Sequence, residues 1–175
     1  MPVTARKMLD ISDDKGSFDS NLVAKFKKDI QNGQVISYDP QRKMLFFKAE
    51  VTGSAGKVYP VEIQFLQVEG NPAQLTAGLL PPDLLDHNIK VDCHCHDFIN
   101  NNKQGPCWDH GCAIYKDHKE LKKAWEKEYA AHRKVTGKPK KVITNPHIYN
   151  PENQPLGCKH IISVLKDIAS LIQAE

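Results

Sequence analysis

The sequence predicts an α+β domain that combines a small antiparallel β-sheet with an N-terminal helix, an inserted helical excursion at about residues 99–157, and a C-terminal helix. Three observations predict this class. Apolar and polar residues alternate between residues 35 and 68, with turn-forming residues between the alternating runs. Apolar residues recur every three or four positions at 17–32 and at 158–174. The length of 175 residues and the hydrophobic content of 40% suit a single domain.

The antiparallel sheet is predicted by three alternating runs. They cover residues 35–38, 44–51 and 58–68. In the last run Val61, Ile63 and Phe65 fall on one face, because successive residues of a strand point to opposite sides. A fourth strand is expected at 89–93, after a loop rich in proline and leucine at 69–87. Part of this loop is apolar enough to pack under the sheet or on a partner.

The helices are predicted by apolar residues that share one face. This pattern predicts the N-terminal helix at 17–32 and the C-terminal helix at 158–174, and a further helix is expected at 117–135 within the insertion. The polar residues 1–16 are expected to form an N-terminal arm that a neighbouring subunit holds. The domain itself is therefore expected to span 17–175.

The overall composition argues against a membrane protein and does not require a polyanionic partner. The formal net charge is +3, from 24 basic and 21 acidic side chains. No apolar run approaches the ~20 residues of a membrane helix, and residues 1–6 lack the apolar core of a signal peptide. We therefore expect an intracellular, reducing environment, in which five cysteines and eight histidines favour metal binding over disulfides.

Two short pairs of metal-ligand residues are the most informative feature of the chain. Cys93 and Cys95 lie two apart on a predicted strand, so both thiols face the same side. Cys158 and His160 open the C-terminal helix, where backbone N–H groups and the positive helix end favour thiolates. Three sulfurs and one imidazole make a closed tetrahedral set of the kind that structural Zn²⁺ prefers. We therefore expect one zinc ion with a structural role.

The stretches that carry these pairs resemble the SWIM zinc-finger family. They read VDCHCHDF at 91–98 and GCKHIISV at 157–164, which matches the family's CxC, spacer and CxH signature, including the phenylalanine after the second cysteine. The resemblance covers roughly residues 44–172 and implies a β-hairpin followed by a helix. It also implies that the zinc ligands are Cys93, Cys95, Cys158 and His160. The long spacer at 96–157 is similar to that in proteins of tailed bacteriophages.

The same residues allow two enzymatic interpretations. Asp92, His94 and His96 match the DxHxH strand end of metal-dependent hydrolases, in which the histidines bind a catalytic ion. Those enzymes are barrels of about 250 residues, and too few residues follow His96 to build one. A Cys158 nucleophile with His160 as its base is disfavoured, since residues two apart on a helix do not face each other. We expect both histidines of the DxHxH match to lie opposite the cysteines.

A second cluster of metal-ligand residues lies within the insertion. Its C-x₂-H-x-C-x₅-H spacing suits a second zinc ion, and its members are Cys107, His110, Cys112 and His118. His96, His132 or His147 could replace the last histidine. The alternative is a pair of buried thiols beside Trp108. The spacing does not decide between these two interpretations.

A basic stretch at 133–141 is a candidate contact for nucleic acid or for an acidic protein surface. Its lysines at the end of the stretch are Lys138, Lys140 and Lys141. Such a stretch attracts phosphate in a salt-dependent way, but it lacks the interleaved aromatic residues of a single-strand binder. A solvated loop is the more common meaning of such a charge run.

These observations predict a non-enzymatic structural or interaction protein that is stabilised by zinc. We expect it to be a subunit of a larger assembly, such as the tail, baseplate or neck of a phage-like virion, with other protein subunits as partners. Neither a membrane nor a small-molecule substrate is expected. A nucleic-acid-binding zinc finger is the alternative, and a metal-dependent hydrolase is the third hypothesis.

Overall fold

The structure is a computed structural model of the chain. It describes residues 2–14, 35–53, 56–95, 98, 114, 123–124, 126–127, 130–131, 134–135 and 157–172. The predicted helix at 17–32 lies outside the described residues. The described residues between 123 and 135 are all helical, in agreement with the helix expected there.

The predicted α+β class is confirmed by a four-stranded antiparallel sheet flanked by an N-terminal and a C-terminal helix. The strands are β1 (Val35–Asp39), β2 (Met44–Thr52), β3 (Val58–Phe65) and β4 (Ile89–Cys93). They lie in the order β1-β2-β3-β4, so each strand pairs with its neighbour in the sequence. The short β1–β2 and β2–β3 connections make hairpins, whereas β3 and β4 are joined by a longer segment.

One face of the sheet carries the hydrophobic core. Phe47 lies opposite Ile63, and Ile63 lies opposite Val91, so a buried row crosses three strands. The intervening positions form the outer, more polar face, on which Lys48 is opposite Glu62. Because side chains alternate along a strand, this register places Cys93 on the core face at the end of the same strand as Val91.

The turns explain where the strands end. Asp39 accepts hydrogen bonds on Oδ1 from the backbone N–H groups of Gln41 and Arg42 at 3.0 and 3.1 Å, which closes the β1–β2 turn. β3 ends at Phe65 rather than at residue 68, because Gln67 has a left-handed backbone with φ of 59°. Val68 is nevertheless buried and donates its N–H to Lys43 O at 2.9 Å.

The segment between β3 and β4 packs against the chain's own core. It contains a short helix, α2 (Pro72–Thr76), whose N-cap is Asn71, and a 3₁₀ turn at Leu84–Asp86. Its leucines 75, 80, 84 and 85 are buried. The apolar loop noted in the sequence therefore packs within this domain, while Leu79 is half-exposed.

The N-terminal segment corrects the expectation of an arm at residues 1–16. Ala5–Asp14 form helix α1, and Ala5 and Met8 are fully buried in the core. The segment before the helix joins the sheet, since Val3 O accepts the N–H of Ile89 at 2.9 Å. Thr4 caps the helix by accepting the N–H of Lys7 on Oγ1. Few residues here are apolar, but they share one helical face, and this periodicity outweighs the polar composition.

The C-terminal helix confirms its predicted apolar face. α3 (Lys159–Ile172) buries Ile161, Val164, Leu165 and Ile168, whereas Leu171 is partly exposed. This face packs against β3 and β4, and α1 packs beside it. No helix among the described residues is both long and apolar enough to cross a membrane.

Candidate metal centre

The end of β4 positions the first two candidate ligands. Cys93 is the last residue of the strand and lies opposite Val61 on β3. The ladder continues one residue further, since His94 donates its N–H to Pro60 O at 3.2 Å. Cys95 follows directly, and both cysteines are buried. Cys95 lies at a bend just past the strand, and both thiols turn to the core side, as the sequence predicts.

The start of α3 positions the other two candidate ligands. Cys158 directly precedes the helix and accepts the N–H of Ile162 on its carbonyl oxygen at 3.1 Å. His160 lies in the first turn and is only 2% exposed. Gly157 allows this tight entry: a Cβ there would lie 2.8 Å from Ile162 Cδ1, a side chain that is itself fully buried.

These four side chains converge on one buried point. The ligand atoms offered by Cys93, Cys95, Cys158 and His160 all lie within 4.8 Å of one another. The imidazole presents Nδ1 to the thiols, at 3.9 Å from the sulfur of Cys93. Residues far apart in the sequence thus form one Cys₃His cluster between the sheet and the C-terminal helix. The expectation that Cys158 and His160 do not face each other is wrong, because Cys158 precedes the helix and is not bound by helical spacing.

The surroundings of the cluster fix the positions of two of its members. The backbone N–H of the buried Phe98 donates to Cys95 Sγ at 3.3 Å. The ring of Tyr59 lies against the ring of His160, with 4.8 Å between the centroids and 36° between the planes. Outer contacts of this kind orient metal ligands.

Burial determines the protonation of the cluster in the absence of an ion. It raises the pKa of Cys158 from 9.0 to about 11, and it raises the pKa of Cys93 well above its usual value, because desolvation disfavours a thiolate. The neighbouring thiols add to the rise for Cys93. Both groups are therefore neutral thiols near pH 7, and a bound cation would have to displace their protons.

The donor set and its dimensions fit a metal ion such as zinc. Zn–S bonds of about 2.3 Å in a tetrahedron place ligand atoms roughly 3.8 Å apart. In the cluster, Cys93 Sγ and His160 Nδ1 are 3.9 Å apart, and no two ligand atoms are more than 4.8 Å apart. Three sulfurs and one imidazole nitrogen are ligands that zinc prefers, and Cys₃His sets are typical of structural sites. All four residues are buried. A zinc ion held by all four would have a complete tetrahedral shell.

His94 lies apart from this cluster. Its Nε2 is 3.3 Å from Asp92 Oδ2, and its side chain is 31% exposed. Asp92 is on the outer face of the sheet, opposite Glu62, so the prediction that His94 faces away from the cysteines is confirmed. Among the described residues, the Cys₃His cluster is the one group of three or more ligand-type side chains with metal-binding dimensions.

The other predicted site residues lie outside the described part of the chain. They are His96, the second cluster of Cys107, His110, Cys112 and His118, and the basic residues Lys138, Lys140 and Lys141. A second zinc ion and a nucleic-acid contact therefore stay predictions. One described residue of the insertion, Ile114, donates its N–H to Val91 O at 3.0 Å, so the insertion returns to β4 at that point.

The supporting contacts of two residues were not predicted from the sequence, although both residues lie in stretches that resemble the SWIM family. Tyr59 precedes the ligands by more than thirty positions, and nothing in its local pattern indicates a contact with His160. Gly157 carries a weak signal, since a glycine directly before a ligand pair is typical of a tightly packed helix entry.

Comparison of the chain with protein-family models, with curated proteins and with solved structures gives no significant match. The resemblance to SWIM zinc fingers therefore stays a prediction that rests on the sequence pattern.

Proposed function

We propose that this chain is a non-enzymatic, zinc-stabilised structural or interaction protein of the SWIM zinc-finger type. The observation that carries the proposal is the convergence of four buried ligand atoms, from Cys93, Cys95, Cys158 and His160, within 4.8 Å. In this proposal one zinc ion joins the end of β4 to the start of α3. Because the chain itself fills all four coordination positions, the ion serves the fold.

The energetic argument supports a structural ion. Structural zinc in finger peptides contributes roughly 10–16 kcal/mol of apparent binding free energy. The net stability of a typical domain is about 5–15 kcal/mol. Even part of the zinc contribution would change the folded fraction of this domain decisively. The ion would also fix the packing of α3 on the sheet, from which any contact surface in the insertion extends.

We propose further that the partners are other protein subunits of a larger assembly, such as the tail, baseplate or neck of a phage-like virion. The support is the long spacer at 96–157 between the two ligand pairs, which gives a small zinc-bound core a large additional surface. The length of this spacer is also the feature that resembles tailed-phage proteins.

The test counts zinc ions and protein copies together by native mass spectrometry. Wild-type protein is expected to carry zinc at the Cys₃His cluster, and His160→Ala should bind one zinc ion fewer. His94→Ala is the matched control, because it removes a histidine that lies between Cys93 and Cys95 in the sequence but points away from the cluster. The control should keep the wild-type number of ions.

Three results would count against the proposals separately. Equal zinc content in wild type and His160→Ala would exclude His160 as a required ligand, and equal zinc content in wild type and a Cys93→Ala/Cys158→Ala variant would exclude the Cys₃His cluster as a zinc site. Wild-type zinc content with a strictly monomeric protein, and no stable partner in its native particle, would leave the zinc site in place and exclude the assembly role.

A further inference from the structure

We propose that Tyr59 is a positioning residue of the metal centre, which holds the imidazole of His160 in the orientation that presents Nδ1 to the ion. This inference deepens the proposed function and rests on it. It assigns a role in metal binding to the β2–β3 hairpin, which supplies no ligand.

The contact between the two rings carries the inference. Their centroids are 4.8 Å apart and their planes are tilted by 36°, which is close enough for the tyrosine to restrict rotation of the imidazole. The same imidazole lies 3.9 Å through Nδ1 from the sulfur of Cys93. The His160 ring thus contacts both the Tyr59 ring and a thiol of the cluster.

The position of the Tyr59 ring is itself fixed by the hairpin. A Cβ at Gly53 would lie 2.9 Å from Tyr59 Cε2, so the ring packs directly on the glycine backbone. The ammonium group of Lys57 lies 5.8 Å from the ring centroid, within the range of a cation–π contact. Gly53 and Lys57 flank the hairpin turn, and Val51 of β2 pairs with Tyr59 in β3.

The exposure of the two side chains indicates that the Tyr59 ring also shields His160 from water. Tyr59 is partly exposed, whereas His160 is 2% exposed. A ring in this position limits the access of water to the imidazole. Limited access of water strengthens the ligand and slows the exchange of a bound ion.

The test uses Co²⁺ as the probe, because its visible absorption reports the geometry of a tetrahedral thiolate site. Three variants of the full chain are compared with wild type: Tyr59→Leu, Tyr59→Phe and Tyr38→Leu. Tyr38 is the matched control, since it lies on the core face at the opposite end of the sheet, where its hydroxyl donates to Val68 O. Its loss should reduce stability without reaching the cluster.

We expect Tyr59→Leu to shift the Co²⁺ absorption bands and to weaken Co²⁺ binding roughly tenfold, the lower end of the range for outer-shell substitutions. Tyr59→Phe keeps the ring and should restore both readouts, whereas Tyr38→Leu should show the wild-type spectrum. If Tyr59→Leu does not fold, Gly53→Ala displaces the ring without deleting it and is judged by the same spectral shift.

The outcomes separate this inference from the proposal on which it depends. Wild-type protein that gives no tetrahedral Co²⁺ spectrum would exclude the metal centre itself. A wild-type spectrum that is unchanged in Tyr59→Leu, or in Gly53→Ala where that variant replaces it, would leave the metal centre standing and exclude the positioning role.

Discussion

Each cysteine of the cluster needs a different protonation state in the metal-free and the metal-bound protein. Burial holds Cys158 in its neutral form, with a pKa of about 11. A zinc ligand must be a thiolate, so binding requires that protons leave a site that favours them. Neutral thiols are also apolar enough to remain in a core. The cluster can therefore stay packed before it meets an ion.

The raised pKa of Cys158 predicts how the stability of the metal-free protein depends on pH. Below pH 9 the thiol is protonated in both states, and its contribution is fully present. As pH rises from 9 towards 11, the unfolded chain loses the proton first, so stability falls. Cys158 alone should account for about 2–3 kcal/mol of this loss.

Urea unfolding of chelator-treated protein at pH 8 and pH 10.5 measures the effect. Other groups titrate in the same range, so Cys158→Ala serves as the reference. We expect the loss of stability between the two pH values to be smaller in this variant. An equal loss in both proteins would mean that the thiol is not held neutral by burial.

Among the secondary-structure elements, α1 is an integral part of the domain. Its buried face meets α3, and Arg6 makes an exposed ion pair with Asp86 in the β3–β4 segment. The guanidinium of Arg6 lowers the pKa of Asp86 through a side-chain hydrogen bond. Exposed ion pairs contribute little on average, so the buried apolar side chains dominate the docking of this helix.

Met8→Ala should therefore destabilise the domain by about 2–5 kcal/mol, the usual range for truncating a buried methionine. Lys7→Ala is the matched control, because the neighbouring side chain is exposed on the same helix and its loss should change stability by less than about 0.5 kcal/mol. Chemical denaturation measures both variants. If Met8→Ala were as stable as Lys7→Ala, α1 would be peripheral to the fold, as an arm would be.

Periodicity explains which elements the sequence predicts. β2 and α3 each bury one regular face, and the spacing of apolar residues in the sequence predicts such a face directly. The end of β3 is not predictable in this way, because it depends on the left-handed backbone of Gln67 and not on a side-chain pattern. α1 has a short apolar face in a polar stretch, and composition alone misassigns it.

The residues of the candidate site are likewise predictable only in part. Cys93, Cys95, Cys158 and His160 could be identified because ligand type and spacing are local properties of the sequence. The contact of Tyr59 with His160 is a property of the fold, since it joins two elements that the sequence separates widely. Ligands are therefore predictable before the structure is known, but the side chains that hold them in place are not.

The whole molecule has two ends that are held together differently. At the end far from the cluster, Phe47 and Phe65 pack edge to face at 5.7 Å within a continuous apolar core. At the other end, the same core ends in the buried thiols of Cys93, Cys95 and Cys158. In the proposed zinc-bound protein, metal–ligand bonds would therefore add to hydrophobic packing at this end of the domain.

Removal of the ion should loosen these two ends unequally. Under native conditions with a chelator, we expect amide hydrogen exchange to accelerate by at least tenfold in the first turns of α3 and at Cys93. The amides of Leu45 and Phe65 should change much less, because these residues lie in the row of paired residues farthest from Cys93 on the core face. Exchange of the zinc-loaded protein, measured residue by residue, gives the reference. Uniform acceleration at both ends would mean that the ion supports the whole fold cooperatively. Unchanged protection at α3 would mean that apolar packing alone holds the helix on the sheet.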